Sequence, residues 1–140
     1  MPYIIEPEVA GGLGPRTVID RSSGKMIVTK HHYQLDGWLG DDLIESSPCY
    51  IVSKRLADAV SREQLTGFTL DEVEIFKSEQ FDELYPDTEL PPFVWLKVHG
   101  EPGTDDFGMT AELLLAISDR ALRLLENFNI SNAASINPFP

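Results

Sequence analysis

The chain has 140 residues, of which 42% are apolar, enough for one domain with its own hydrophobic core. Its 23 acidic residues against 11 basic residues give a net charge of −12. This charge disfavours binding to nucleic acids, whose phosphates require Lys and Arg, and to anionic membrane surfaces. It favours either simple solubility or a basic protein partner, whose approach would be accelerated electrostatically.

The cysteine content and the N-terminus bear on the compartment. Cys49 is the only cysteine, so no intrachain disulfide can form and a reducing cytoplasm is expected. Its apolar neighbours predict a buried strand thiol rather than a reactive one. The N-terminus has no signal-peptide pattern, and no window approaches the roughly 20 apolar residues of a membrane span. The sequence therefore predicts a cytoplasmic protein that is not associated with a membrane.

The first third of the chain predicts short strands separated by loops. Residues 3–5 predict a first strand, and the glycine-rich residues 11–15 predict a loop. Residues 25–33 alternate between apolar and polar side chains and predict a second strand. Residues 34–47 are rich in Gly, Asp and Ser and predict irregular structure, with at most a brief pairing at Leu43-Ile44.

A repeated pattern organises the rest of the chain. Residues 51–57 recur in altered form as residues 116–122, at an offset of 65 that is kept beyond the pattern itself. Both copies run from an apolar strand through Ser into a short helix. The repeat predicts two strand–helix–strand units, at about residues 49–77 and 113–136, joined by an acidic insert. The alternative is two independent uses of a common local pattern.

The first unit begins with an apolar strand at residues 49–52, typical of a strand covered on both faces. Ser53 is a suitable N-cap because its hydroxyl can accept an N–H of the first helical turn. The apolar spacing predicts an amphipathic helix over residues 54–64, and Gly67 is expected to end it in the left-handed conformation. A strand at residues 71–76 follows.

The second unit has the same predicted layout. Residues 113–117 predict its strand, Ser118 its N-cap, and residues 133–136 its last strand. Its helix has an apolar stripe at i, i+3, i+4 and i+7, made by Ala121, Leu124, Leu125 and Phe128. In the insert, residues 78–84 predict one or two helical turns, and residues 93–98 predict the clearest strand in the chain.

The sequence offers little for catalysis. There is no nucleophile–base motif, phosphate-binding loop or recognised metal-ligand spacing. His31 and His32 are adjacent on a predicted strand and point to opposite faces, so one ion rarely binds both. We therefore expect no catalytic, cofactor-binding or metal site. A small metal-binding protein or hydrolase using His31, His32 and nearby aspartates is the alternative.

The acidic residues are concentrated in the insert. Residues 71–89 carry eight acids and one base, Lys77. This pattern is typical of a solvated face, but the interleaved aromatic residues also suit recognition of a basic protein surface. Those aromatic residues are Phe76, Phe81, Tyr85, Phe93 and Trp95.

Six short motifs carry a family resemblance over roughly residues 38–132. They are WLGDDL at 38–43, PCYIVSKRLA at 48–57, TGF at 66–68, FDELYP at 81–86, FVWLKV at 93–98 and ISDRAL at 117–122. Their order and spacing resemble small acidic bacterial proteins grouped with the immunity proteins of polymorphic toxin systems. The resemblance implies a cytoplasmic antitoxin that binds a toxin domain and blocks it, and it supplies no catalytic residues.

These observations predict an α+β fold in which helices pack on a mixed sheet. They favour a non-catalytic protein that binds and neutralises a basic toxin domain, with nucleases among the candidates. The residues expected to contact the partner are Trp38, Asp41, Asp42, Glu72, Glu74, Asp82 and Glu83. A structural or oligomerising module with Phe93 or Trp95 at a self-interface is a further alternative, and monomer and homodimer both remain open.

Overall fold

The computed structural model describes residues 2–46 and 48–139. Its helices in these ranges are α1 (Lys54–Arg62), α2 (Glu79–Leu84) and α3 (Asp119–Leu125). Its strands are β1 (Tyr3–Glu6), β2 (Glu8–Val9), β3 (Gly11–Leu13), β4 (Val18–Asp20), β5 (Ile27–Leu35), β6 (Leu43–Ser46), β7 (Cys49–Ser53), β8 (Phe68–Asp71), β9 (Val73–Lys77), β10 (Phe93–Val98), β11 (Phe107–Met109), β12 (Leu115–Ile117) and β13 (Ser135–Pro138).

The described strands form three sheets. The first has the order β11-β12-β1-β13 and the second the order β2-β6-β7-β10-β8, while in the third β5 pairs with β3, β4 and β9. The pairs β2–β6 and β5–β9 are parallel, and the other pairs are antiparallel. The predicted α+β class with mixed pairing is therefore confirmed. The chain order within the sheets brings both termini, through β1 and β13, into one sheet.

Strand β7 lies between two hydrophobic cores, as its continuous apolar sequence predicts. Tyr50 and Val52 point into a core shared with α1, α3 and the first sheet. Ile51 points the other way, into a core formed with β5 and with Phe81 of α2. All five strand residues are buried. Because side chains alternate along a strand, only a strand covered on both faces can be apolar at every position.

The helix caps are confirmed. The hydroxyl oxygens of Ser53 and Ser118 accept the backbone N–H of Leu56 at 3.3 Å and of Ala121 at 3.0 Å. Ser78 caps α2 in the same way. Each cap satisfies an N–H group that has no partner within its own helix.

The predicted end of α1 is wrong. The helix ends at Arg62, and Gln64 rather than Gly67 takes the left-handed conformation that follows it, with φ 56°. Gly67 also has a positive φ, but it lies beyond the end of α1 and has a different structural role. A Cβ at this position would lie 2.0 Å from the carbonyl oxygen of Phe107, so Gly67 permits a close backbone approach.

Other predicted boundaries also need correction. Residues 11–13 are strand β3 rather than loop, and Gly11 fits there because a Cβ would lie 1.8 Å from the carbonyl oxygen of Gln34. Residues 43–46 form the complete strand β6 within the segment expected to be irregular, whose last residue, Ser47, lies outside the described residues. The strand predicted at 71–76 is broken at Glu72, where the chain passes from the second sheet to the third.

Among the described residues, no helix is long and apolar enough to cross a lipid bilayer. In α3, the last residue of the predicted stripe, Phe128, lies beyond the helix end.

Candidate functional site

A crevice lies beside the loop that follows β5. It has a volume of about 390 Å³ and lies among β2, β3, that loop and α2. We call it the Trp38 crevice. Trp38 and Tyr85 supply its aromatic surface and Glu8 and Asp36 its carboxylates. None of the described residues that line it is basic.

The fold holds both aromatic residues of the crevice in place. The Trp38 indole N–H donates to the Asp41 carbonyl oxygen at 2.9 Å, and its ring packs edge-on against Phe93 with centroids 5.9 Å apart. Tyr85 follows α2 and packs against Phe81. A Cβ at Gly37 would lie 3.1 Å from the Tyr85 ring, so glycine allows this ring to approach the loop.

Glu8 places a buried carboxylate at the same crevice. The residue is only 4% exposed. Its oxygens accept the backbone N–H of Leu39 at 2.7 Å and of Asp41 at 3.2 Å. Burial raises the pKa of Glu8, and these two hydrogen bonds offset the rise only in part. Within residues 2–46 and 48–139, no cation pairs with it.

A row of exposed acids begins on α2, next to the Trp38 crevice. We call it the acidic flank, and it comprises Glu79, Asp82, Glu83, Asp87 and Glu89. None of these carboxylates forms an ion pair with another described residue. Leu84 is 59% exposed among them. Two of the predicted contact residues, Asp82 and Glu83, therefore lie on an exposed acidic surface without ion pairs.

Two other predicted contact residues, Asp41 and Asp42, lie in the interior. They are 0% and 3% exposed. Asp41 accepts hydrogen bonds from the backbone and the side chain of Asn132, at 2.9 and 2.8 Å. Asp42 accepts hydrogen bonds from Ser53, Arg55 and Asn129. Unlike Glu8, neither aspartate lines the Trp38 crevice, so we leave both out of the contact surface.

The last two predicted contact residues lie at a different place, the corner between β8 and β9. Glu72 is exposed and has no ion pair with a described residue. Glu74 is half-buried and forms an ion pair with Arg16. Both line a second crevice of about 550 Å³ together with His31 and Trp95. The predicted contact residues thus divide among the Trp38 crevice, the acidic flank, this corner and the interior.

The two histidines have separate environments. His31 is buried, with its Nε2 atom 2.9 Å from the Ser46 hydroxyl, while the Nδ1 atom of His32 accepts the Arg16 backbone N–H at 3.0 Å. Burial lowers the pKa of His31 to about 4. Across the part of the chain that the structure describes, no group of three His, Cys, Asp or Glu residues is placed to hold a metal ion.

The residues named for a self-interface are also committed to the fold. Trp95 is 4% exposed, and its ring lies 5.1 Å from that of His31. Phe93 is half-buried and packs on Trp38. The buried Trp95 is therefore withdrawn from a self-interface in this conformation, whereas the exposed part of Phe93 lines a shallow surface with Leu70 and Val94.

Two important residues escaped the sequence analysis. Asp106 is buried and accepts hydrogen bonds from the Ser118 hydroxyl at 2.6 Å and the Thr66 backbone N–H at 2.9 Å. Its signal was the Asp-Asp pair at 105–106, which mirrors the pair at 41–42. Glu8 had no local signal, because its partners lie more than 30 residues away.

Comparison of the chain with protein-family models, with curated proteins and with solved structures gives no match. The geometry and charge of the crevice and the flank therefore carry the functional conclusion.

Proposed function

We propose that this chain is a non-catalytic binding protein of the immunity type, which acts in the cytoplasm and neutralises a basic protein toxin. One observation carries the proposal: the acidic flank begins on α2, and Gln80 of that helix and Tyr85 just after it line the Trp38 crevice. The family resemblance of the sequence supports the same function. The single buried cysteine is in keeping with a reducing compartment.

The acidic flank supplies the long-range part of recognition. Its five carboxylates are exposed, and none forms an ion pair with another described residue. One base, Lys77, lies beside them over the Phe81 ring and 3.4 Å from the Thr88 carbonyl oxygen, so the flank keeps an excess of negative charge whose field extends into solvent. Such a field raises the rate at which an oppositely charged surface is met, typically by about 10-fold to 1,000-fold at low ionic strength. Rim charges of this kind act mainly on the association rate.

The aromatic and aliphatic groups supply the short-range part. Tyr85 is 37% exposed and Leu84 is 59% exposed at the end of α2. Large anchors surrounded by polar groups are where binding energy concentrates in protein interfaces. The arrangement suits a partner with basic residues around an apolar centre. If that partner is a nuclease, the carboxylates would occupy the surface that binds phosphates, and inhibition would follow from competition.

The proposal is tested by co-expression with the toxin encoded beside the gene of this chain. The expected result is a purified complex and restored growth. Neutralising the flank with Glu79→Gln, Asp82→Asn and Glu83→Gln should lower the association rate at least about 10-fold, with a shallower dependence on salt.

The matched control removes the same charge elsewhere, by Glu101→Gln, Glu112→Gln and Glu126→Gln. These acids are exposed and lie outside the crevice and the flank. The control should keep most of the association rate. Failure to form a complex together with failure to restore growth would sink the proposal. An equal loss in the control would show that net charge alone, rather than the flank, is recognised.

We also propose that the two strand–helix–strand segments are repeat units of one structural design. In each, an Asp before the first strands accepts the hydroxyl of the serine that caps the following helix, Asp42 for Ser53 and Asp106 for Ser118. Each Asp also accepts a backbone N–H beyond the other unit's helix, at Asn129 and Thr66 respectively.

The strand orders support the same proposal. Around α1, the order β6-β7-β10-β8 places an antiparallel strand between the two strands that the helix connects. Around α3, the order β11-β12-β1-β13 does the same. The reciprocal aspartate contacts would then be the joint between the units. Urea unfolding of Asp42→Asn and of Asp106→Asn tests this, because each substitution should destabilise the fold.

A further inference from the structure

Glu8 is a buried carboxylate that lacks a counter-ion. Each carboxylate oxygen of Glu8 accepts one backbone hydrogen bond, but these bonds supply no positive charge. Buried carboxylates are normally paired with a cation, because burial penalises the charged form. Burial accordingly raises the pKa of Glu8, and no cation of the described residues pairs with it.

The crevice in front of Glu8 has the composition of a cation site. A second carboxylate, Asp36, is half-buried there and has no ion-pair or side-chain hydrogen-bond partner among residues 2–46 and 48–139. Trp38 and Tyr85 supply aromatic rings, whose faces attract cations. With no basic residue in the described lining, the chain does not fill the site itself.

We propose that the Trp38 crevice receives an arginine side chain of the protein partner. The guanidinium pairs with the carboxylates of Glu8 and Asp36 and stacks against the aromatic rings. This inference deepens the proposed function, on which it rests for the existence of a basic protein partner. It assigns the crevice as the specific site, with the acidic flank acting as the electrostatic surround.

Arginine fits this lining better than lysine. Its guanidinium is planar, carries five N–H donors and is weakly hydrated, so it can stack on an indole or phenol ring while donating to carboxylates. A lysine ammonium is a compact and strongly hydrated point charge. The volume of about 390 Å³ is ample for one side chain of this size. Displacing water from beside Glu8 then strengthens the ion pair.

The experiment uses the full chain and small probes, so it needs no partner protein. N-acetyl-arginine-amide is titrated into ¹⁵N-labelled protein and followed by NMR. The signals to watch are the Trp38 indole N–H and the Leu39 and Asp41 amides, which donate to the Asp41 carbonyl and to Glu8. The expected result is saturable shifts with a dissociation constant on the order of 1 mM, since a single side chain has little area to bury.

Two further probes test the chemistry. N-acetyl-lysine-amide should bind at least about threefold more weakly, because it cannot stack or bind bidentately. N-acetyl-citrulline-amide has nearly the same shape and no charge, and it should give no saturable shift. If the citrulline probe shifts the same signals to the same extent, the site does not recognise a cation and the inference is overturned.

Variants locate the site. Glu8→Gln should weaken binding of the arginine probe at least about tenfold, as expected for loss of a desolvated ion pair. Because Glu8 also accepts two backbone N–H groups, Tyr85→Ala serves as a second variant, since the Tyr85 side chain makes no hydrogen bond with a described residue. It should weaken binding about threefold or more through loss of a ring face. Glu112→Gln, an exposed acid outside the crevice, should leave binding unchanged.

The outcomes separate this inference from the proposed function. Probe binding that depends on Glu8 supports the crevice site even if the neighbouring toxin proves not to be the partner. Unchanged probe binding in both Glu8→Gln and Tyr85→Ala overturns the crevice site, and a toxin complex that still depends on the acidic flank would leave the proposed function standing.

Discussion

Asp42 offers the most direct test of how this fold is held together. The residue is 3% exposed. Its Oδ1 atom accepts the Ser53 hydroxyl at 2.5 Å and the Arg55 Nε–H at 2.9 Å. Its Oδ2 atom accepts from Arg55 at 2.6 Å and from the Asn129 backbone N–H at 2.8 Å. One carboxylate thus joins the start of α1 to the chain beyond α3.

The substitution Asp42→Asn keeps the shape and removes acceptors. The amide nitrogen cannot accept a hydrogen bond, so buried donors from Ser53 or Asn129 lose their partner, at a cost of about 1–3 kcal/mol. The ion pair adds less, because the Arg55 side chain is 65% exposed and solvent screens it. We expect the free energy of unfolding to fall by about 2–4 kcal/mol in total.

The assay is urea unfolding at pH 7, with Asp58→Asn as the control. Asp58 forms an exposed i,i+4 ion pair with Lys54 on the same helix, and its loss should cost about 0.3–0.5 kcal/mol. A loss below about 1 kcal/mol for Asp42→Asn, or a loss equal to that of the control, would refute the reasoning.

The dependence on pH gives a second readout of the same contact. Burial alone would raise the pKa of Asp42, but hydrogen bonds from Arg55, Ser53 and Asn129 lower it by more, so its pKa lies below the ordinary 3.8. The unfolded chain therefore takes up a proton before the folded chain does. The stabilisation is fully present above pH 3.8 and is lost as the pH falls through the lower folded pKa. The difference in the free energy of unfolding between wild type and Asp42→Asn should therefore become smaller as the pH falls below 3.8.

Three further outcomes follow from buried groups. Asp106→Asn should destabilise the fold by about 2 kcal/mol in the same urea assay. The loss should be smaller than for Asp42→Asn, because the Arg120 Nη1 atom is 3.7 Å from the Asp106 Oδ2 atom and the ion pair is weaker. No loss of stability would contradict the proposed joint between the two units. Because the pKa of buried His31 is lowered to about 4 from 6.5, wild-type stability should fall by about 3 kcal/mol as the pH drops across that window. Urea unfolding should show this slope unchanged in His99→Gln, an exposed site, and much smaller in His31→Gln, where buried His32 with its lowered pKa leaves a remainder. Cys49 is 5% exposed, and burial raises its pKa to about 12. A thiol reagent whose reaction is followed by absorbance should therefore react about 100-fold more slowly with native than with urea-unfolded protein. Equal rates would contradict the burial of Cys49.

Features that depend on neighbours in the sequence could be predicted. The serines before α1 and α3 are caps because a hydroxyl only needs to reach an N–H three residues on. Strand β7 could be identified as covered on both faces because residues 49–52 are an unbroken apolar run, and the structure buries every residue of the strand. Each of these inferences uses fewer than ten consecutive residues.

Features that depend on distant parts of the chain could not be predicted from the sequence. The break at Glu72 arises because β8 pairs with β10 while β9 pairs with β5, and no local pattern distinguishes this from one continuous strand. Gly11 and Gly67 are needed because the backbone oxygens of Gln34 and Phe107 lie too close to leave room for a Cβ. Nothing near either glycine in sequence shows that another strand passes so close.

The same limit explains why the predicted contact loop combines two roles. Trp38 lines the crevice, whereas Asp41, three residues on, is buried and holds Asn132. A Gly-Asp-Asp sequence is typical of an exposed turn, and only the distant partners show that its carboxylates point inward. The loop nevertheless belongs to the proposed binding site, because its buried aspartates fix the backbone that positions Trp38 and donates to Glu8.

The net charge of −12 therefore has a location as well as a size. Five basic side chains are already paired with carboxylates elsewhere in the fold, namely Arg16, Lys54, Arg55, Lys97 and Arg120. These pairs cancel charge at the β8–β9 corner, on the exposed face of α1 and around Asp42 and Asp106. No such pair among the described residues reaches the acidic flank or the Trp38 crevice. A partner approaching this protein would thus meet the uncancelled charge where the aromatic anchors and the buried carboxylate of Glu8 also lie, which is why we place recognition there rather than on the acidic surface as a whole.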